Sequence, residues 1–159
     1  MDKVYKNILF ICDANTFRSP LAEFLLKKML FDNGIYDVKV YSAGVASHVR
    51  DGSLISMDVK LLLKDEGVIV EDKPFSKDLK KHKELLEQSD LILTMTKKQK
   101  EAVLAFKEAK GKDVYTLKEF IGEKGDIVDP RSLNEEGYVR CKEEIKRCLL
   151  LLLDRLKQK

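Results

Sequence analysis

The chain has 159 residues, 44% apolar and 36% charged, with a formal net charge of +3. That length suits a single domain spanning 1–159 with one sizeable core, and the balance excludes a disordered tail. The longest apolar run, Leu149 to Leu153, is far too short to enter and cross a bilayer, so no membrane is expected as partner. A small excess of bases interspersed with acids argues against nucleic acid and suits an anionic group or a phosphorylated partner.

Residues 1–6 are charged and lead straight into a strand, without a secretory apolar region or cleavage site. The expected location is therefore cytoplasmic. Asn7-Ile8-Leu9-Phe10-Ile11 is a continuous apolar run that predicts a strand buried on both faces. Ser19-Pro20 predicts a helix start, with Ser19 as N-cap and Pro20 at the first helical position. Asn33-Gly34 stops that helix. Val38-Lys39-Val40-Tyr41-Ser42 alternates as a second strand. Helices are predicted over residues 54–66 and 78–88, a third buried strand over 91–95, and a helix over 97–110. A short fourth strand over 114–116 and a Gly- and Asp-rich loop over 122–130 follow. A long helix over 132–157 with an apolar seam closes the chain. Alternating strands and helices predict a three-layer α/β/α fold around a central four-stranded parallel sheet. Such sheets bind ligands beyond the carboxyl ends of their strands.

One segment carries chemistry. Cys12-Asp13-Ala14-Asn15-Thr16-Phe17-Arg18-Ser19-Pro20 joins the first strand to the first helix. The five residues between Cys12 and Arg18 can wrap one phosphate, with backbone N–H groups of Asp13, Ala14, Asn15, Thr16 and Phe17 turned inward as an anion nest. The helix start adds its positive dipole end, and Arg18 offers a bidentate fork. The same field favours the thiolate form of Cys12, a strong nucleophile able to form a phosphocysteine. Ser19 can hydrogen-bond the sulfur. Transfer to a thiolate also needs a proton for the leaving group. Asp129, in Gly125-Asp126-Ile127-Val128-Asp129-Pro130, is the first candidate acid and Asp126 the second. The remaining cysteines, Cys141 and Cys148, lie seven apart on the closing helix and read as small core residues. His48 and His82 have no ligand-like spacing, so no metal is expected.

In these residues the chain resembles the low-molecular-weight protein tyrosine phosphatases. The family's loop, Cys-x-Gly-Asn-x-Cys-Arg-Ser-Pro, is matched by Cys12, Asn15, Arg18, Ser19 and Pro20. Leu21-Ala22-Glu23, Ser42-Ala43-Gly44, Ser89 to Thr96 and Asp129-Pro130 follow in the family order. The resemblance implies that Cys12 is the nucleophile, Arg18 the phosphate clamp, and Asp129 the acid and then the base. It implies a loop-supporting network of Asn15, Ser19 and Ser42, and no cofactor. It also implies a phosphorylated protein as substrate and a monomer or weak homodimer. Three departures stand out: Ala14 replaces a Gly, Phe17 a Cys able to protect the nucleophile as a disulfide, and Arg131 a cleft-lining aromatic. The family's His has no obvious counterpart in residues 70–81.

Two cues pull the substrate in opposite directions. Thr16 resembles the bacterial protein arginine phosphatases, as do residues 114–120, whereas tyrosine-directed relatives more often carry Ile or Leu at that position. Arg131 at the rim disfavours a second guanidinium. Phosphotyrosine is expected first and phosphoarginine second. An arsenate reductase would need further cysteines near the loop. An inactive phosphate-binding module would have lost Cys12, Arg18 or Asp129.

Overall fold

The protein is described by a computed structural model covering residues 4–130 and 134–157. Strand β1 (Asn7–Cys12) is the spine of the sheet. Ile8, Leu9, Phe10 and Ile11 are all fully buried, because both faces of the strand are covered by helices. Side chains alternate across the pleat: Ile8, Phe10 and Cys12 enter one apolar cluster, Leu9 and Ile11 the other. Strands β2 (Lys39–Gly44), β3 (Leu91–Thr94) and β4 (Asp113–Thr116) complete a parallel sheet of order β2-β1-β3-β4. Cys12 pairs with Gly44, and Ile11 with Thr94, which pairs with Thr116. The carboxyl ends therefore align, and the loops that follow them gather along one edge.

Helices α1 (Arg18–Asp32), α2 (Met57–Asp65) and α6 (Glu135–Lys157) cover one face. Helices α3 (Glu84–Gln88) and α4 (Lys97–Leu104) bring Leu85, Leu86 and Val103 to the other. The three-layer α/β/α architecture expected from the alternation is what the chain adopts. Cys141 and Cys148 are buried in the α6 seam, where desolvation pushes the Cys141 thiol up to about 12. Glu66, at the carboxyl end of α2, pairs with Lys142 at 2.8 Å and Lys146 at 2.7 Å and so ties α2 to α6.

Several boundaries differ from expectation. Helix α1 begins at Arg18, and its N-cap is Phe17, which makes no side-chain capping bond. Ser19 therefore lies inside the first turn, and its hydroxyl serves the site instead. Pro20 falls third in the helix, where a missing N–H leaves no intrahelical bond unmade. The helix expected over 78–88 is a 3₁₀ turn (Leu79–Lys81) and α3, separated by His82 at φ −132° and ψ 50°. The helix expected over 97–110 ends at Leu104, and a 3₁₀ turn follows at Lys107–Ala109. A short helix α5 (Leu117–Phe120) was not anticipated; a capping box of Thr116 and Glu119 starts it. Arg131, and the first residues of the expected closing helix, lie outside the described residues. No helix among the described residues is long and apolar enough to cross a membrane.

Candidate active site

The loop between β1 and α1 folds around a buried asparagine. Asn15 is fully buried and takes φ 59°, the left-handed region in which Asn is among the better-tolerated side chains. All of its polar side-chain atoms are engaged. Its Oδ1 accepts from the Lys77 backbone N–H at 2.9 Å. Its Nδ2 donates to Ser19 Oγ at 2.8 Å and to Ser42 Oγ at 2.9 Å. The Ser76 hydroxyl donates to the Asn15 carbonyl at 2.8 Å. Ala14 has no positive φ, so its Cβ is accommodated without backbone strain.

These bonds have a direction. The Ser42 hydroxyl donates to Glu23 Oε1 at 2.5 Å, so it can only accept from Asn15. The second Asn15 N–H then goes to Ser19 Oγ, leaving the Ser19 proton for Cys12 Sγ, 2.9 Å away. The Asn15 backbone N–H also points at that sulfur, at 3.3 Å. Cys12 Sγ thus faces two donors, an arrangement that stabilises negative charge on sulfur. Glu23 is buried and receives Lys27 Nζ at 2.5 Å, which supplies a charge for the carboxylate at the far end of the chain of bonds.

The second strand holds the loop from beside it. A Cβ on Gly44 would come within 2.7 Å of the Asp13 carbonyl oxygen and 2.9 Å of the Ala14 carbonyl carbon. Only glycine lets the loop lie this close to β2. Val45 and Ala46 then donate to the carbonyls of Cys12 and Asp13, at 3.1 and 3.0 Å.

Arg18 is buried, with its guanidinium toward the acid loop. Its Nη1 donates to the Ile127 carbonyl at 2.7 Å, and its Nη2 lies 3.1 Å from Asp13 Oδ2 and 3.7 Å from Asp129 Oδ2. The Ile127 N–H in turn bonds the Met95 carbonyl at the end of β3, at 2.9 Å. Cys12, Asp13, Ala14, Thr16, Phe17, Arg18 and Asp129 line one recess of about 20 Å³. The structure thus brings together Cys12, Arg18 and Asp129, the residues singled out for catalysis. Asp126 is elsewhere: its Oδ1 accepts from the Lys97 N–H at 2.9 Å, at the start of α4. Phe17 stacks on Tyr138 of α6, ring centroids 5.1 Å apart. Cys141 and Cys148 are absent from the recess lining and sit in the α6 seam.

Sequence reasoning missed the support roles of Gly44, Ser76, Lys77 and the Ile127 carbonyl, and the pairing of Asp13 with Arg18. Gln99 was also missed: its Nε2 donates to Asp13 Oδ1 at 3.0 Å. Its signal was the Thr96-x-x-Gln99 capping box, which fixes that amide over the end of β3.

Comparison with known proteins places the chain among phosphatases. The family model described as low molecular weight phosphotyrosine protein phosphatase matches residues 7–159. A protein-arginine-phosphatase of Geobacillus stearothermophilus is 37% identical over 154 residues, covering 96% of this chain and 94% of that one. The low molecular weight protein-tyrosine-phosphatase PtpB of Staphylococcus haemolyticus is 35% identical over 151 residues, covering 94% and 96%. The solved structure of a YwlE arginine phosphatase variant, with a phosphorylated serine replacing its active-site cysteine, superposes with a TM-score of 0.85. It has 31% identity and covers 96% of this chain and 97% of that one.

Proposed function

The chain belongs to the low-molecular-weight phosphotyrosine protein phosphatase family and is a protein phosphatase acting through a phosphocysteine; on that premise we propose that Cys12 is its nucleophile, Arg18 its phosphate clamp and Asp129 its acid and base. Cys12 Sγ attacks phosphorus while Asp129 gives a proton to the departing atom of the substrate side chain. Water then attacks the phosphocysteine, giving its proton to Asp129, and the sulfur leaves as a thiolate held by the Ser19 hydroxyl and the Asn15 N–H. In this reading Arg18 and backbone N–H groups of the loop bind the equatorial oxygens throughout. The observation that carries this reading is the directed hydrogen-bond chain from Glu23 to Cys12, which leaves the Ser19 proton for the sulfur. No step calls for a metal or an organic cofactor.

The first substrate is phosphotyrosine, which the family description names. Phosphoarginine is the second reading. Thr16 lines the recess where a branched alkyl would suit a phenol ring better, and the Geobacillus relative carries the arginine name. A peptide panel carrying each phosphorylated residue tests both, with Cys12→Ser as control. Turnover of at least one peptide, abolished in Cys12→Ser, is the expected result; no turnover of any phosphorylated substrate would sink the reading. Thr16→Ile should raise the phosphotyrosine-to-phosphoarginine ratio, and an unchanged ratio would remove Thr16 from the argument. We further assign the whole chain to one domain, working as a monomer or weak homodimer in a bacterial cytoplasm. The bacterial relatives and the even spread of charge support that assignment.

A further inference from the structure

Asp13 places a carboxylate in a loop built to bind an anion. Its Oδ2 sits 3.1 Å from Arg18 Nη2, while its Oδ1 accepts from Gln99 Nε2 at 3.0 Å. Gln99 is buried, and its Oε1 is taken by the N–H groups of Met95 and Thr96, at 2.9 and 3.0 Å. Its amide therefore cannot turn over, and its Nε2 stays aimed at Asp13. The Asp13 backbone is pinned as well, by the Ala46 N–H and by the close approach of Gly44. These bonds hold the carboxylate in the recess wall, with its side chain 39% exposed.

We propose that Asp13 is a charge filter, a specificity-determining residue that disfavours dianionic phenyl phosphates relative to a phosphoguanidinium. The proposal rests on the phosphatase reading above and concerns its substrate. Two acceptors that share one guanidinium nitrogen lie within about 5 Å of each other. A phosphoryl oxygen on Arg18 Nη2 is therefore that close to Asp13 Oδ2, where like charges repel even though the half-exposed carboxylate is partly screened by solvent. Phosphotyrosine brings two negative charges and no compensation. Phosphoarginine brings the same phosphoryl charge with a guanidinium cation bonded directly to it, and that cation is attracted by the carboxylate that repels the oxygens. Asp13 also answers part of the positive charge of Arg18 before any substrate arrives, which weakens binding of every dianion.

The test compares kcat/KM for matched phosphotyrosine and phosphoarginine peptides in the wild type, Asp13→Asn and Asp13→Glu. Asp13→Asn should raise the phosphotyrosine-to-phosphoarginine ratio about tenfold, and Asp13→Glu, which keeps the charge, should hold it near the wild-type value. Inorganic phosphate, measured as a competitive inhibitor above neutral pH, is a dianion with no leaving group. Its Ki should fall about tenfold in Asp13→Asn. A purely supporting role for Asp13 beneath Arg18 predicts something different: both peptides and phosphate weaken together, and the ratio stays put. That outcome, or a ratio that moves less than twofold, overturns the proposal. If the wild type turns over both peptides while the ratio is unmoved, only the role of Asp13 fails. If it turns over neither, the phosphatase reading itself fails.

Discussion

The nucleophile loop and the acid loop meet over one recess but are built differently. The loop from Cys12 to Ser19 is held mainly by side chains. Asn15, Ser19, Ser42 and Glu23 interlock in buried hydrogen bonds, with Ser76 closing on the Asn15 carbonyl. The segment that carries Asp129 is held mainly through its backbone: the Ile127 N–H on Met95, and the Ile127 carbonyl on Arg18. The first design fixes a sulfur in one electrostatic setting. The second presents a carboxylate 3.7 Å from Arg18 with its side chain about a quarter exposed, reachable by a leaving group and by water. The nucleophile thus needs a fixed surrounding, whereas the acid needs access, and Arg18, at the end of the first loop, reaches the second through the Ile127 carbonyl and Asp129.

That contrast can be broken from the acid side first. Asp129→Asn keeps the shape and removes the proton donor. It should lower turnover of phosphopeptides roughly 10²–10⁴-fold, with a much smaller loss on p-nitrophenyl phosphate, whose leaving group needs little protonation. Equal losses on both substrates would deny Asp129 the acid role. The loop side is sharpened by Gly44→Ala, which pushes a Cβ against the Asp13 and Ala14 backbone. A shift of the loop by a fraction of an ångström should cost roughly 10–100-fold in kcat/KM and weaken inhibition by inorganic phosphate in parallel. Activity within twofold of wild type would mean that the loop need not lie so close to β2.

The smallest effect lies away from both loops and serves as a contrast to them. Glu66→Gln removes the charge that joins α2 to α6 and should leave kcat/KM unchanged while costing roughly 1–2 kcal/mol of stability. Hydrogen bonds from Lys142 and Lys146 hold the Glu66 carboxyl below its ordinary value of 4.5, against an opposing desolvation. A carboxyl lowered on folding stabilises above its unfolded value, and that stabilisation is lost as pH falls through the folded one. The difference between wild type and Glu66→Gln in urea unfolding should therefore be full at neutral pH and shrink below about pH 4.5. A difference independent of pH would mean that Glu66 acts by packing.

The sequence signals map onto the same contrast. Strands were legible because β1 and β3 are buried on both faces and read as unbroken apolar runs, and the position of Cys12 at the end of β1 followed. Helix ends were less so. Ser19-Pro20 looked like a cap, but Ser19 faces Cys12 Sγ, and nothing local distinguishes a hydroxyl that caps from one that supports a sulfur. The 78–88 stretch carried a helical composition, yet His82 leaves the helical region while its ring bonds Asp51, a partner 31 residues away. Within the site, Cys12, Arg18 and Asp129 were legible because their chemistry is restricted to a few residue types. Gly44, Gln99 and the Ile127 carbonyl were not, because their roles arise from approach between segments far apart in the chain.

The most direct measurement is an acid quench of the enzyme during turnover, followed by mass analysis of its peptides. Cys12 as nucleophile predicts that the peptide containing Cys12 gains the mass of one phosphoryl group, that the adduct is absent in Cys12→Ala, and that it builds up in Asp129→Asn with a good leaving group, where hydrolysis lacks its base. A phosphoryl group found on another residue, or none found while the enzyme turns over, would contradict it.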